Sequence, residues 1–280
     1  MMTWPHDVLI ACSWFATIDG RNWKIKMTET GEKITGLVGA LLAGAGRSGR
    51  SENCTLVFYF CAWRTQDGRL FQGKQRCEWQ GLDEAQAAAW MQRIASWQQL
   101  ELIVAGRTAT GALLVQQIGF PEQPDDDLTR LGEIWQQPVV LETALFGGLE
   151  LDRGLDMYDG VADWGGTEIS LSLSCEDAAM PESALATATA LFEQQAHWQR
   201  QIVACAVEKL LPLKNENWLA EDQSPLTEEA FRRHLEVQSI VAEDEGAFTV
   251  YFDDGDLFWG HAIVVSGSLA QGATDADIAG

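Results

Sequence analysis

From residue 247 onward the chain reads AFTVYFDDGDLFWGHAIVVSGSLAQGATDADIAG, with apolar and polar residues alternating around an Asp-Asp-Gly-Asp turn. A period of two places successive side chains on opposite faces of a strand, and Asp-Gly reverses the chain between two such strands. The same grammar recurs upstream. Residues 55–64 (TLVFYFCAWR) and 69–79 flank Thr65-Gln66-Asp67-Gly68, and residues 100–105 and 112–120 flank a Gly-bounded turn. Residues 145–151, 155–162 and 169–174 are separated by Asp152-Arg153-Gly154 and Trp164-Gly165-Gly166, the signature of a three-stranded meander. A chain punctuated this way must build sheets from hairpins.

Helical spacing is confined to three places. Residues 82–99 carry Ala87, Trp90, Met91, Ile94 and Trp97 on one face, with Asp83 placed to cap. A long helix is expected after Asp177 and Pro181, running to about residue 211 with Leu191, Trp198, Ile202, Cys205, Val207 and Leu210 inward and Pro212 as its stop. A short one starts at Ser224-Pro225 or Thr227, with Glu228 and Glu229 at its positive end and Phe231 and Leu235 inward. Residues 8–18 and 23–27 read as two strands around Asp19-Gly20. The apolar, Gly-interrupted stretch near residues 32–43 reads as a poor helix or a buried loop. The predicted fold class is therefore α+β, antiparallel sheets with packed helices, in two domains. The expected boundaries are 1–120 for a β-rich α+β domain and 141–280 for a second. The acidic, Pro-containing PEQPDDD opens a linker over residues 121–140.

The chain carries a net charge of −22, unevenly spread. Residues 1–140 hold 13 basic against 15 acidic residues, whereas residues 141–280 hold 6 against 26. Such a field repels nucleic acid and anionic membrane and attracts cations or a basic protein surface. No apolar run of about 18 residues occurs, so no membrane-spanning helix is expected. The first residues lack a basic region before an apolar core, which argues against a secretory signal. The six cysteines show no paired spacing and fit buried thiols in a reducing cytoplasm. Twelve tryptophans point to cores and interfaces.

Motifs for chemistry are few. Gly44-Ala45-Gly46-Arg47-Ser48-Gly49 is a literal GxGxxG, and residues 44–51 come within one residue of a phosphate-binding loop. Both motifs need a helix N-terminus to follow. Here a strand follows, and Arg50 stands where lysine is required, so a mobile loop is the better reading. His197 and His234 lack a metal-ligand spacing, and no nucleophile elbow occurs. No catalytic residue, metal or cofactor is predicted.

The second half resembles a bacterial family catalogued as domain of unknown function 2262, over residues 145–280. The resemblance rests on LDRGLDMYDGVADW, KNENWL (residues 214–219), YFDDGDLFWGH, VSG and DADIAG. It brings no catalytic role with it. Small acidic strand-rich families of this type often serve as immunity or interaction proteins beside bacterial toxins, a likeness of type rather than of mechanism.

The closing hairpin holds the candidate site: Asp253, Asp254, Asp256, Trp259 and His261. One reading makes the three aspartates and the imidazole ligands for a hard cation, or a base acting on water. The spacing falls short of a calcium loop. The other reading is architectural: Gly255 supplies positive φ, Asp253 and Asp254 cap the turn, and Trp259 and His261 continue the strand. The function expected is a non-enzymatic, cytoplasmic protein that presents an acidic surface to a basic protein partner, possibly a toxin. The alternative is a metal-dependent enzyme or ligand binder using that hairpin.

Overall fold

A computed structural model describes residues 31–41, 43–47, 53–176, 179–220 and 223–279. The two strands expected in residues 8–27 lie outside the described residues. The chain packs as two compact units, with the change of unit after Pro138.

The first unit is built from strands β1 (Glu32–Val38), β2 (Gly44–Arg47), β3 (Cys54–Thr65) and β4 (Leu70–Leu82), helix α1 (Glu84–Met91), strands β5 (Gln99–Arg107) and β6 (Leu113–Gly119), and helix α2 (Asp126–Trp135). The expected hairpins form as β3–β4 and β5–β6. Their order is β1-β5-β6-β4-β3-β2, and β1 also pairs with β3, which closes five strands into a barrel. The β4–β6 pair is parallel and α1 links the third barrel strand to the fourth, the connectivity of OB-type Greek-key barrels. Such a fold assigns no ligand by itself. Leu56, Phe58, Phe60, Cys77, Leu100 and Leu102 are fully buried in the core of this unit.

Three expectations change here. Residues 32–38 form a strand rather than a helix or loop. Gly36 is no helix breaker: a Cβ there would strike the Phe60 ring of the neighbouring strand, so the glycine serves close approach. Gly44–Arg47, read as mobile loop, pairs as β2 with β3. The helix of residues 82–99 stops at Met91. Asp83 caps it as expected, in a reciprocal box with Gln86, but Trp97 takes a left-handed φ of 65°. Ile94 still reaches the core, from the irregular segment after the helix.

Residues 121–140, expected as a linker, contain α2. The aspartates of PEQPDDD start it: Asp125 is the N-cap and accepts from the Asp127 and Leu128 amides. Leu128 is buried with Leu37 and Ala62. Arg64 donates to Asp125 at 2.5 Å and to Asp127 at 2.7 Å. The bond from Arg64 holds the Asp125 carboxyl below its ordinary range, against the opposing effect of burial. A depressed folded-state pKa contributes stability above the unfolded value near 3.9, lost as pH falls through the folded one. Asp125→Ala is expected to cost about 1 kcal/mol from the cap, with a small addition from the ion pair. Asp125→Asn should keep most of the cap and flatten the acid limb of the pH–stability curve. Urea unfolding at pH 7 and pH 3.5 checks both.

The second unit runs through β7 (Val140–Thr143), β8 (Gly147–Asp152), β9 (Met157–Trp164), β10 (Thr167–Ser174), α3 (Glu182–Glu193), α4 (Gln195–Asn217), α5 (Glu228–Arg232), β11 (Glu236–Ala242), β12 (Ala247–Asp253), β13 (Ala262–Ser268) and β14 (Gly272–Ala279). Its eight strands lie in one sheet, β14 to β7 in unbroken sequence order. Every pair is antiparallel except β10–β11, joined by the three helices, because a parallel pair needs a long crossover. The sheets of both units are thus mixed, each with one parallel pair, rather than purely antiparallel.

The single long helix expected after Pro181 is two, broken at Gln194 (φ −116°, ψ 32°). Pro212 does not stop the second, which continues to Asn217 with one backbone bond fewer. Leu191, Ile202, Ala206 and Leu210 of the helices bury one face of the sheet, with Leu171, Leu173, Ile240 and Val250. Among the described residues no helix is long and apolar enough to cross a membrane. The described cysteines are all free thiols, and burial pushes Cys61 up to about 12.

Candidate functional site

Strand β12 ends at Asp253, and the chain does not return as a strand until Ala262. Leu257 to His261, expected as the second strand of a tight hairpin, instead form a wound loop. Four residues between Asp253 and Ala262 take positive φ: Gly255 (51°), Asp256 (66°), Trp259 (59°) and Gly260 (89°). Such a path leaves amides facing inward, and Asp254 gathers them. Its Oδ1 accepts from the Asp256 amide at 3.0 Å, and its Oδ2 accepts from Phe258 at 2.6 Å and Gly260 at 3.1 Å. Asp253 accepts from the Gly255 amide at 2.8 Å. The three aspartates that look alike in sequence therefore differ. Asp254 is 5 % exposed, while Asp253 and Asp256 face solvent.

The far side of the loop meets the end of α4. Lys214 is 1 % exposed, and its ammonium donates to the Trp218 carbonyl at 2.6 Å and to Gln223 Oε1 at 3.3 Å. Burial lowers the Lys214 pKa, and attraction to Asp254 partly restores it. Asn215 exchanges two bonds with the Leu226 backbone and so anchors the segment leading to α5. Trp218 packs against Phe258 (5.5 Å between ring centroids), Trp259 (4.8 Å) and His261 (5.6 Å). His234 bonds the Gly255 carbonyl at 3.0 Å through Nδ1. The words KNENWL and YFDDGDLFWGH thus converge on one structure.

This arrangement fixes a loop. The Asp254 oxygens are taken by amides, and Lys214 is covered. Among the described residues no three His, Cys, Asp or Glu side chains gather as metal ligands. Of the five predicted residues, Asp254 holds the loop, Asp253 and Asp256 lie exposed on it, His261 rests against Trp218, and Trp259 projects with 68 % of its surface open. Sequence reasoning missed Lys214 and Trp218, whose word in the chain carried the resemblance but no chemistry.

A second feature emerges from the register. The sheet face away from the core is crossed by the row Val140, Glu150, Asp159, Ser172, Val241, Thr249, Ser266, Asp275. A parallel row runs Val161, Ser170, Ser239, Tyr251, Val264, Asp277. Asp163 pairs with Glu168 across β9 and β10, and Asp253 with Glu236 across β11 and β12. Carboxylates and small hydroxyls are interspersed on this face with valines and Tyr251, and none of the eight strands contains a Lys, Arg or His. The unit's cations sit elsewhere, with Arg200, Lys209 and Lys214 on α4 and Arg232 and Arg233 at α5. Burial raises the Asp159 pKa; repulsion from Asp152 adds to this, and the bond donated by Ser172 at 2.5 Å opposes it.

These features define the second unit as an α+β domain with its helices on one sheet face and, among the described residues, carboxylates without cations in the strands of the other. Residues 143–278 match the family model described as an uncharacterized protein conserved in bacteria, DUF2262. The match agrees with the resemblance read from the sequence, and the N-terminal half matches no family model. No curated protein matches the chain.

Proposed function

We propose that the protein works by binding, through the open face of its eight-stranded sheet, a protein partner with a basic surface. The observation that carries this reading is the segregation of charge: carboxylates at outward positions of the strands and no cation in any of them. An apolar face would need a cover for its own stability. This face intersperses its valines among carboxylates and hydroxyls, and carboxylates with no cation beside them on the strands favour a partner of opposite charge. An immunity-type role, in which such a face meets a basic toxin, is one setting for this chemistry. The rival reading, a metal-dependent enzyme or ligand binder on the Asp253–His261 loop, has less support because Asp254 is consumed by backbone amides.

The test compares the chain with a variant neutralised on the sheet (Glu150→Gln, Asp152→Asn, Asp163→Asn, Glu168→Gln) as baits in the native bacterium. A basic protein held near stoichiometrically by the parent at low salt, released by salt and not held by the variant, is the expected result. A partner retained equally by both baits would sink the reading.

A further inference from the structure

Trp259 has more of its surface open than any other large apolar side chain among the described residues, yet its loop is tied by three amide bonds to one carboxylate. Asp254 ties that loop from beneath, and Trp218 supports the indole at 4.8 Å with a 58° tilt. A left-handed backbone is unfavourable for tryptophan, so three carboxylate–amide bonds and an indole contact are spent on keeping this ring outward. Its surroundings are acidic. Asp253 and Asp256 are exposed on the same loop, and Glu236 stands opposite Asp253 at the end of the outward sheet face. The nearest cations in sequence, Arg232 and Arg233, are engaged with Glu228 and Glu229 on their own helix.

We infer that Trp259, with Asp253 and Asp256, forms a subsite for an arginine side chain of the basic partner. This inference rests on the acidic-face reading and extends it by naming the residue type that is recognised. An apolar partner residue would cover the flanking carboxylates without pairing them, which costs free energy. A guanidinium does not: its plane stacks on an indole while its N–H groups reach a carboxylate in a fork. Lysine offers a compact, strongly hydrated charge without the plane, and so gains less at this position. Asp253 belongs both to the loop and to the sheet face, which makes the subsite the margin of the same surface.

Calorimetric titration with octa-arginine and octa-lysine peptides at low salt tests this. The parent is expected to bind octa-arginine roughly three- to ten-fold tighter than octa-lysine, a range set by stacking on an exposed ring. Trp259→Ala should remove that preference while leaving octa-lysine affinity and the urea unfolding midpoint unchanged. Equal affinities in the parent, or a preference that survives in Trp259→Ala, would overturn the arginine subsite and leave the acidic face standing. Failure of the parent to bind either peptide would overturn both.

Discussion

Asp254→Ala is expected to destabilise the second unit by roughly 3 kcal/mol, a large share of the stability of an ordinary domain. The carboxylate accepts three amides, and the Phe258 amide is fully enclosed, so no water replaces the lost acceptor there. Each buried donor left without a partner costs about 1–3 kcal/mol, and the more exposed Asp256 and Gly260 amides recover part of theirs from solvent. Lys214 also loses the charge that favours its protonated form. The change should move the urea midpoint down by about 1–2 M at the slopes usual for small domains. Asp254→Asn should fall between the two, since its amide group turns a donor toward donors. Two unchanged midpoints would mean that the loop is held by Leu257 and Phe258 alone. Trp259→Ala provides the contrast, because an exposed ring can be lost from the surface with little effect on stability. The loop's scaffold and the residue it presents are thereby separable.

This division of labour could not be seen in the sequence. DDGD gives three equivalent aspartates, and alternation predicts that Phe258 and Trp259 face opposite ways along a strand. They do point apart, Phe258 into the core and Trp259 into solvent, but on a wound loop of positive-φ residues. The burial of Asp254 depends on α4 arriving from forty residues earlier, which periodicity does not encode. Local grammar served well where partners are neighbours: Asp67-Gly68 marked β3–β4 and the Gly106–Gly111 turn marked β5–β6. It failed where partners are distant. Barrel closure rests on β1 meeting both β3 and β5, and Gly36, which permits the close contact with Phe60, reads locally as a breaker. Pro212 and Gln194 failed in opposite senses, one tolerated inside a helix and the other ending one without any sequence warning. The charge imbalance was plain from composition. That part of it lines one sheet face, with no cation in the strands, needed the register of eight strands.

Neutralising that face should move stability and binding in opposite directions. Glu150 and Asp159 stand directly opposite each other, and Asp152 repels Asp159 from the same strand as Glu150. Like charges so placed cost a few tenths to about 1 kcal/mol per pair. The raised Asp159 pKa has a definite sign: the folded chain binds that proton more readily than the unfolded chain, so this residue's charge costs stability at neutral pH. The cost is relieved as pH falls through the folded pKa toward the unfolded one. Glu150→Gln with Asp152→Asn and Asp159→Asn is therefore expected to raise stability by about 1 kcal/mol at pH 7 in low salt. The gain should shrink in 0.5 M salt as screening replaces the substitutions. The same variant should associate with a polycation about ten-fold more slowly, since steering depends on the field of the face. Such a pattern marks a surface held for interaction at the expense of stability. A variant that is less stable at low salt would reverse the conclusion, assigning these carboxylates to the hydrogen bonding of the sheet, where Asp159 and Ser172 already meet.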